Sequence, residues 1–173
     1  LAALFPRITS EILTLDPAEV TGDDFADGQF LLSFDDGPTR PGGYTDDYVT
    51  LLERAGISAV FFSLGTELQA RLGRTSAGKL AVLYRNQCLG SHGLEHRRYP
   101  RLPEWKPTLE TTRQLVRRIF PEQNAVMFRP PYGQRTAEIT SYVNGRNDRV
   151  ILWNIDSQDW NRNINAAQVA GRV

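Results

Sequence analysis

The sequence predicts an α/β fold built on a parallel β-sheet, and three observations support this prediction. From residue 30 onward, five short apolar runs alternate with longer amphipathic segments. The runs are almost wholly apolar, as expected for parallel strands that are covered on both faces. Polar clusters directly follow four of the runs, at the strand ends where α/β folds place their sites. An open doubly wound sheet and a barrel share this pattern, so both remain open at this point.

The predicted strands and helices follow one another in regular order. The strands are the five apolar runs, residues 30–34, 59–62, 87–90, 125–128 and 150–153. A first helix begins at Thr45 as its N-cap and ends before Gly56. The later helices cover residues 67–85 with breaks near Gly73 and Gly78, residues 108–120, residues 136–144, and a start at residues 165–173.

Length and composition indicate one globular domain. The 173 residues are 40% hydrophobic and 23% charged, enough for one core and too few for two ordinary domains. Twenty basic and twenty acidic residues give zero net charge, which argues against a nucleic-acid partner. No apolar run approaches the ~18–20 residues that span a bilayer, so the sequence predicts no membrane span. The single cysteine, Cys88, leaves the compartment open, and we expect it to be a buried packing residue.

Residues 1–29 differ in pattern from residues 30–173. An amphipathic segment is predicted before the Asp16-Pro17 pair, and residues 21–29 are rich in aspartate and glycine. We interpret residues 1–29 as a linker from an upstream domain or as a strap over the core, and residues 30–173 as the main domain. The apolar positions of the amphipathic segment are Ile8, Ile12, Leu13 and Leu15.

The two histidines of the chain form a candidate metal site. His92 and His96 are four residues apart, which on a helical turn would place both imidazoles on one face. Two unrelated surface histidines are the alternative. Because zinc takes at least three protein ligands, a third must come from elsewhere. Asp35 and Asp36 follow the first apolar run and precede a Gly-Pro turn, where one carboxylate can ligate while the other faces a substrate. An acidic turn is the alternative there.

Two further polar clusters follow the last two strands. Residues 129–133 place Arg129 at a strand end, before two prolines and Tyr132. Residues 156–160 supply two carboxylates and the indole of Trp160. Taken singly, the first is a rigid loop and the second a polar loop with a packed tryptophan.

In this order, the four clusters resemble the motifs of the polysaccharide deacetylase family, the NodB-homology domain of carbohydrate esterase family 4. The T-F-D-D-G-P motif matches residues 33–38, with Ser33 in place of threonine, and H-[ST]-x-x-H matches residues 92–96, with Gly93 in place of serine or threonine. R-x-P-[YF] matches residues 129–132, and D-x-x-D-W matches residues 156–160. The resemblance covers roughly residues 30–165 and implies a distorted (β/α) barrel, usually of seven strands.

The resemblance also implies a ligand set and a base. Asp36, His92 and His96 would hold a divalent ion, Zn²⁺ first, with Co²⁺ or Ni²⁺ as alternatives. Asp35 would be the catalytic base, and Arg129 would orient it.

Other roles implied by the family concern the oxyanion and the substrate. The backbone N–H of Tyr132 would stabilise the oxyanion, and Trp160, Pro131 and Tyr132 would contact substrate. Asp159 would orient an acid histidine. The implied reaction releases acetate from an acetylated carbohydrate, with N-acetylglucosamine-type glycans as the first expectation. The implied location is extracellular, periplasmic or in the cell envelope, and the sequence predicts no oligomeric state.

The family's fifth motif, a Leu-x-His element that carries the acid histidine, has no counterpart here. Both histidines belong to the second motif, and the sequence stops thirteen residues after Trp160. We expect truncation before a closing strand, with the barrel incomplete at its C-terminal end and activity impaired. A non-catalytic carbohydrate-binding member of the fold is the alternative. A phosphoesterase would usually show a richer set of carboxylates and histidines.

Overall fold

Five parallel strands form one sheet in the order in which they occur in the chain. The computed structural model describes Thr14 and residues 16–173. Its strands are β1 (Ser33–Asp36), β2 (Val60–Ser63), β3 (Cys88–Ser91), β4 (Met127–Phe128) and β5 (Arg149–Val150). A parallel bridge between Val20 and Ile151 continues the sheet beyond β5. The prediction of an α/β fold on a parallel sheet is confirmed.

The helices occupy the segments between the strands and the segment after β5. They are α1 (Tyr44–Ala55), α2 (Gly65–Leu72), α3 (Ala77–Leu83), α4 (Trp105–Ile119), α5 (Ala137–Asn144) and α6 (Ala166–Ala170). Two 3₁₀ turns lie at Tyr99–Arg101 and Pro131–Gly133. Among the described residues, no helix has both the length and the apolar character needed to cross a bilayer.

The helix ends follow from local backbone chemistry. Gly56 ends α1 in the left-handed conformation, with φ 67°, as its position after the last helical turn predicts. The predicted N-cap was wrong, because α1 begins after Gly43, and the buried Thr45 hydroxyl instead accepts a hydrogen bond from the Thr39 N–H. A break at Gly73 separates α2 from α3, whereas Gly78 lies inside α3.

Other predictions also differ from the structure, and the last two strands are shorter than predicted. The first strand begins at Ser33, and Phe30, where we placed its start, is 71% exposed. Helix α4 begins three residues early because Pro107 lies in its first turn, where a missing N–H loses no intrahelical bond. Cys88 is exposed at the first position of β3, so the prediction of a buried cysteine was wrong. The amphipathic segment predicted before Asp16 lies outside the described residues.

Both faces of the sheet are apolar, which explains the continuous apolar runs. In β2, Phe61 packs with the helices, while Val60 and Phe62 face the opposite side with Ile151. The helix side also holds the fully buried side chains Leu68, Leu80, Tyr84 and Val116. A second cluster packs α4 and α5 against β4 and β5 through Leu109, Phe128, Ile139, Val143 and Val150. This packing fixes the strand ends that carry the polar clusters.

Gly90 of β3 is closely packed by residues of the neighbouring strands β2 and β4. A Cβ atom there would lie 2.8 Å from Phe62 Cδ1 and 3.0 Å from the Met127 carbonyl oxygen. The first of these atoms belongs to a fully buried ring and the second to the backbone, so moving either atom would cost free energy.

We expect Gly90→Ala to lower the free energy of unfolding by about 1–3 kcal/mol through overpacking, as measured by urea denaturation. The matched control is Gly78→Ala inside α3, where the nearest atom to a new Cβ is Ser76 Oγ at 4.0 Å. That control should raise stability by about 0.5–1 kcal/mol, because alanine is the better helix former. Similar effects from both substitutions would contradict the packing argument.

Candidate active site

The two aspartates that end β1 turn their carboxylates in different directions. Asp36 has a left-handed backbone with φ 74°, an uncommon conformation for a residue other than glycine. The Asp35 side chain is 34% exposed and contacts Arg129, whereas that of Asp36 is 67% exposed and faces the histidines. Strain of this kind is typical of functional sites.

Asp36, His92 and His96 are brought together into one group. Asp36 Oδ1 lies 3.7 Å from His92 Nε2 and 3.9 Å from His96 Nε2. One ligand atom from each residue lies within 4.8 Å of the others. Zinc ligands lie about 2.0–2.2 Å from the ion, so small side-chain adjustments would let the three atoms surround one ion. One carboxylate with two imidazoles is a donor set that suits zinc and similar divalent metals.

The two histidines converge through a loop, so the prediction of a helical turn was wrong. Gly93 has φ 87°, and it reverses the chain after His92 so that the imidazole centroids lie 5.2 Å apart. A Cβ at residue 93 would lie 2.6 Å from the Tyr99 hydroxyl, which accepts a hydrogen bond from the Leu94 N–H at 3.1 Å. Close packing of Tyr99 therefore requires glycine where the family pattern has serine or threonine.

The hydrogen bond of His92 fixes which ring nitrogen can bind a metal. Nδ1 lies 2.8 Å from the Arg129 carbonyl oxygen, and it must donate because a carbonyl can only accept. Nε2 is therefore the nitrogen that faces Asp36. Burial lowers the pKa of His92, although the charges of Asp35 and Asp36 oppose this shift. The neutral imidazole that burial favours is the form that ligates metals.

Arg129 is a buried guanidinium that ties several parts of the site together. Its Nη1 donates to Asp35 Oδ1 at 2.8 Å and to Ser33 Oγ at 2.9 Å, and its Nη2 donates to the Leu152 carbonyl at 2.9 Å. The guanidinium also lies over the Phe62 ring, 4.1 Å from its centroid. Burial lowers the pKa of Arg129 and Asp35 opposes the shift. The contacts hold Asp35 in one orientation.

Tyr132 lies beside His96 at the edge of this group. It has φ 60° within the 3₁₀ turn, and its N–H has no hydrogen-bond partner among the residues that the structure describes. Its ring meets His96 edge-on with centroids 4.4 Å apart, and the Arg98 guanidinium lies 4.7 Å from the centre of the same ring. Pro131 beside it is buried.

The structure does not bring the fourth cluster to the others. Trp160 is 71% exposed, and the exposed Asp159 accepts a hydrogen bond from Ser157 Oγ at 3.0 Å. In the described part of the chain, neither side chain makes a hydrogen bond, ion pair or ring contact with Asp36, His92 or His96.

Sequence reasoning missed three residues that shape the site. Ser33 supports Arg129, and its place at the start of the first motif could have revealed it. Tyr99 and Phe62 gave no such signal, because aromatic residues in a strand or turn are common.

Three possible ligands and a carboxylate held by arginine, at the carboxyl ends of parallel strands, define a candidate metallohydrolase site on an α/β fold. The sequence profile of the polysaccharide deacetylase family matches residues 22–147. The chain belongs to this family. Its parallel sheet matches the distorted barrel of carbohydrate esterase family 4 structures, as the resemblance implied.

Individual relatives cover most of this chain. The Bifunctional xylanase/xylan deacetylase of Cellvibrio japonicus is 27% identical over 154 residues, which are 83% of this chain and 21% of that protein. The Bc1960 peptidoglycan N-acetylglucosamine deacetylase matches with a TM-score of 0.69 at 21% identity, over 90% of this chain and 65% of its own. Peptidoglycan deacetylase PdaC from Bacillus subtilis matches with a TM-score of 0.65 at 26% identity, over 83% and 66%. The chain thus spans less than two thirds of the length of each of these relatives.

The geometry generates a prediction about metal affinity. We expect His96→Ala to weaken Zn²⁺ binding by more than the ~10–100-fold that loss of a supporting outer-shell partner costs, because a ligand itself is removed. Isothermal titration calorimetry with ZnCl₂ measures the change. Glu95→Gln is the matched control, because this exposed carboxylate lies beside His96 in sequence yet faces Arg97. Equal affinities for His96→Ala and the unaltered chain would refute the site.

Proposed function

We propose that this chain is the catalytic core of a metal-dependent deacetylase that releases acetate from an acetylated carbohydrate. The observation that carries the proposal is the meeting of Asp36, His92 and His96 beside an aspartate held by Arg129. Family membership supports the reaction class.

Asp36, His92 and His96 are proposed to hold the ion, Zn²⁺ first and Co²⁺ or Ni²⁺ as alternatives. When bound there, it would polarise the acetyl carbonyl and make a water molecule more acidic. Three protein ligands would leave a further position on the ion for water or substrate, as catalytic zinc sites require.

Asp35 is the proposed general base. Its Oδ1 is held by Arg129, whereas its Oδ2 lies 3.9 Å from His92 Nε2 and so faces the metal site. A carboxylate in this place can accept the proton of the attacking water. Arg129 holds Asp35 so that Oδ2 faces the site, because the Arg129 guanidinium is itself fixed by Ser33 and by the Leu152 carbonyl.

The backbone N–H of Tyr132 is the proposed oxyanion donor. The Tyr132 ring contacts His96, and the Tyr132 N–H makes no hydrogen bond to the described residues, so it is available to donate to the negative charge that develops on the acetyl oxygen during attack. The exposed rings of Tyr132 and Trp160, with Pro131, are proposed to contact the sugar, and Asp159 is proposed to orient an acid histidine where one is present.

The substrate class proposed first is an N-acetylglucosamine-type glycan. PdaC, whose name records peptidoglycan deacetylation, shares 26% identity with this chain and supports the proposal. The Cellvibrio japonicus relative is named for xylan deacetylation, which makes acetyl esters of xylan the second candidate.

We expect Asp35→Asn to lower kcat by about 10²–10⁴-fold, which is the rate enhancement that a general acid or base typically contributes. The Zn²⁺ affinity should stay close to that of the unaltered chain. Acetate release from an N-acetylglucosamine oligomer and calorimetry measure the two quantities. Loss of metal binding instead would show that the two aspartates have exchanged roles. Binding of the glycan without turnover by the unaltered chain would favour a non-catalytic carbohydrate-binding role.

We also expect the 173-residue chain to cleave an amide more poorly than an ester. Both of its histidines are assigned to the metal, and an amine leaves only after protonation. A version extended by a histidine-bearing segment should gain about 10²–10⁴-fold on an N-acetyl substrate, and less on an acetyl ester. Equal acetate release by the two versions would show that another residue supplies the proton.

A further inference from the structure

We propose that Glu19, far from the site in sequence, is a positioning residue that acts through Arg135 on the loop that carries the Tyr132 N–H. This inference rests on the oxyanion role proposed for Tyr132. Glu19 lies in the segment before β1, and no sequence motif includes it.

Glu19 is a completely buried carboxylate held on several sides. Its side chain is 0% exposed, and that of Arg135 is 2% exposed. Arg135 Nε donates to Glu19 Oε1 at 2.9 Å and Nη2 donates to Oε2, so the pair is bidentate. Thr140 of α5 donates its hydroxyl hydrogen to Oε1 at 2.8 Å. A buried ion pair adds little stability over apolar packing, whereas its directional bonds fix geometry.

Arg135 connects Glu19 to the loop that contains Tyr132. Its Nη1 donates to the Gly133 carbonyl at 2.9 Å, while the Gly133 N–H donates to the Pro130 carbonyl at 2.9 Å. The peptide units on both sides of Gly133 are therefore held. Tyr132 and Gly133 have φ values of 60° and 68°, so two successive left-handed residues determine the path of the backbone at the Tyr132 N–H. Because Tyr132 disfavours this conformation, the surrounding bonds must impose it.

The same segment also supports the Arg129 anchor. The Val20 N–H donates to the Val150 carbonyl at 3.0 Å, and the Leu152 N–H donates to the Val20 carbonyl at 2.7 Å. The Leu152 carbonyl in turn accepts from Arg129. Residues 19 and 20 thus connect to both the base and the oxyanion loop.

The first test uses the metal-free chain and needs no activity. In Glu19→Gln, exchange of the Gly133 and Gln134 amides, measured by NMR, should accelerate by about tenfold more than that of amides in β2. The matched control is Asp148→Asn, which disrupts another buried pair, Arg113 with Asp148 at 2.7 Å, at the opposite end of the strands. The control should leave the ratio of loop to strand exchange unchanged. Equal acceleration of loop and strand amides in Glu19→Gln would overturn the proposal.

The second test separates positioning from stability. In Glu19→Gln we expect kcat on the N-acetyl substrate to fall by roughly tenfold or more, with KM and Zn²⁺ affinity unchanged, since loss of a whole oxyanion donor costs about 10²–10³-fold. Asp148→Asn should retain kcat. If Glu19→Gln fails to fold, both tests are made with Arg135→Lys. Lysine keeps the positive charge opposite Glu19, but its single ammonium group cannot also donate to the Gly133 carbonyl. Unchanged kcat and unchanged loop exchange would overturn the proposal, whereas an inactive unaltered chain would overturn only the deacetylase function.

Discussion

The burial of the Arg129 guanidinium is the constraint on which the rest of the site depends. An arginine removed from water needs partners for its fork of donors, and here they come from β1 and from the segment after β5. The hydrogen bonds of the guanidinium hold Asp35 and the Leu152 carbonyl at fixed distances from Arg129, at the end of β4. The Arg129 carbonyl meanwhile accepts from His92, so one residue orients both a carboxylate and an imidazole.

Residues with a left-handed backbone also determine the arrangement of the site. Asp36, Gly93 and Tyr132 all have positive φ, and each stands where the chain leaves the sheet. A chain that continued in extended conformation would carry its side chains away from the sheet. The reversals instead bring Asp36 and His96 together and leave the Tyr132 ring against His96. The disfavoured conformation of Tyr132 is held by the hydrogen bonds that Gly133 makes next to it.

The sequence alone predicted the regular elements well wherever the apolar pattern was unambiguous. Buried runs such as the one around Phe61 marked strands, and Gly56 and Thr136 marked helix ends, because caps and periodicity are local properties. It failed where a local rule was overruled by packing. Phe30 is apolar yet exposed, and Thr45 uses its hydroxyl inside the domain instead of as a cap.

The sequence by itself determined the α/β class, the family and the residue types available for chemistry, because strand periodicity and motif spacing are written along the chain. Only the tertiary structure decided how His92 and His96 meet, since Gly93 and Tyr99 turn a loop where spacing suggested a helix. It alone connected Glu19 with Arg135, which lie 116 residues apart. Contacts between distant segments depend on how the sheet and helices pack, and no local pattern encodes that packing.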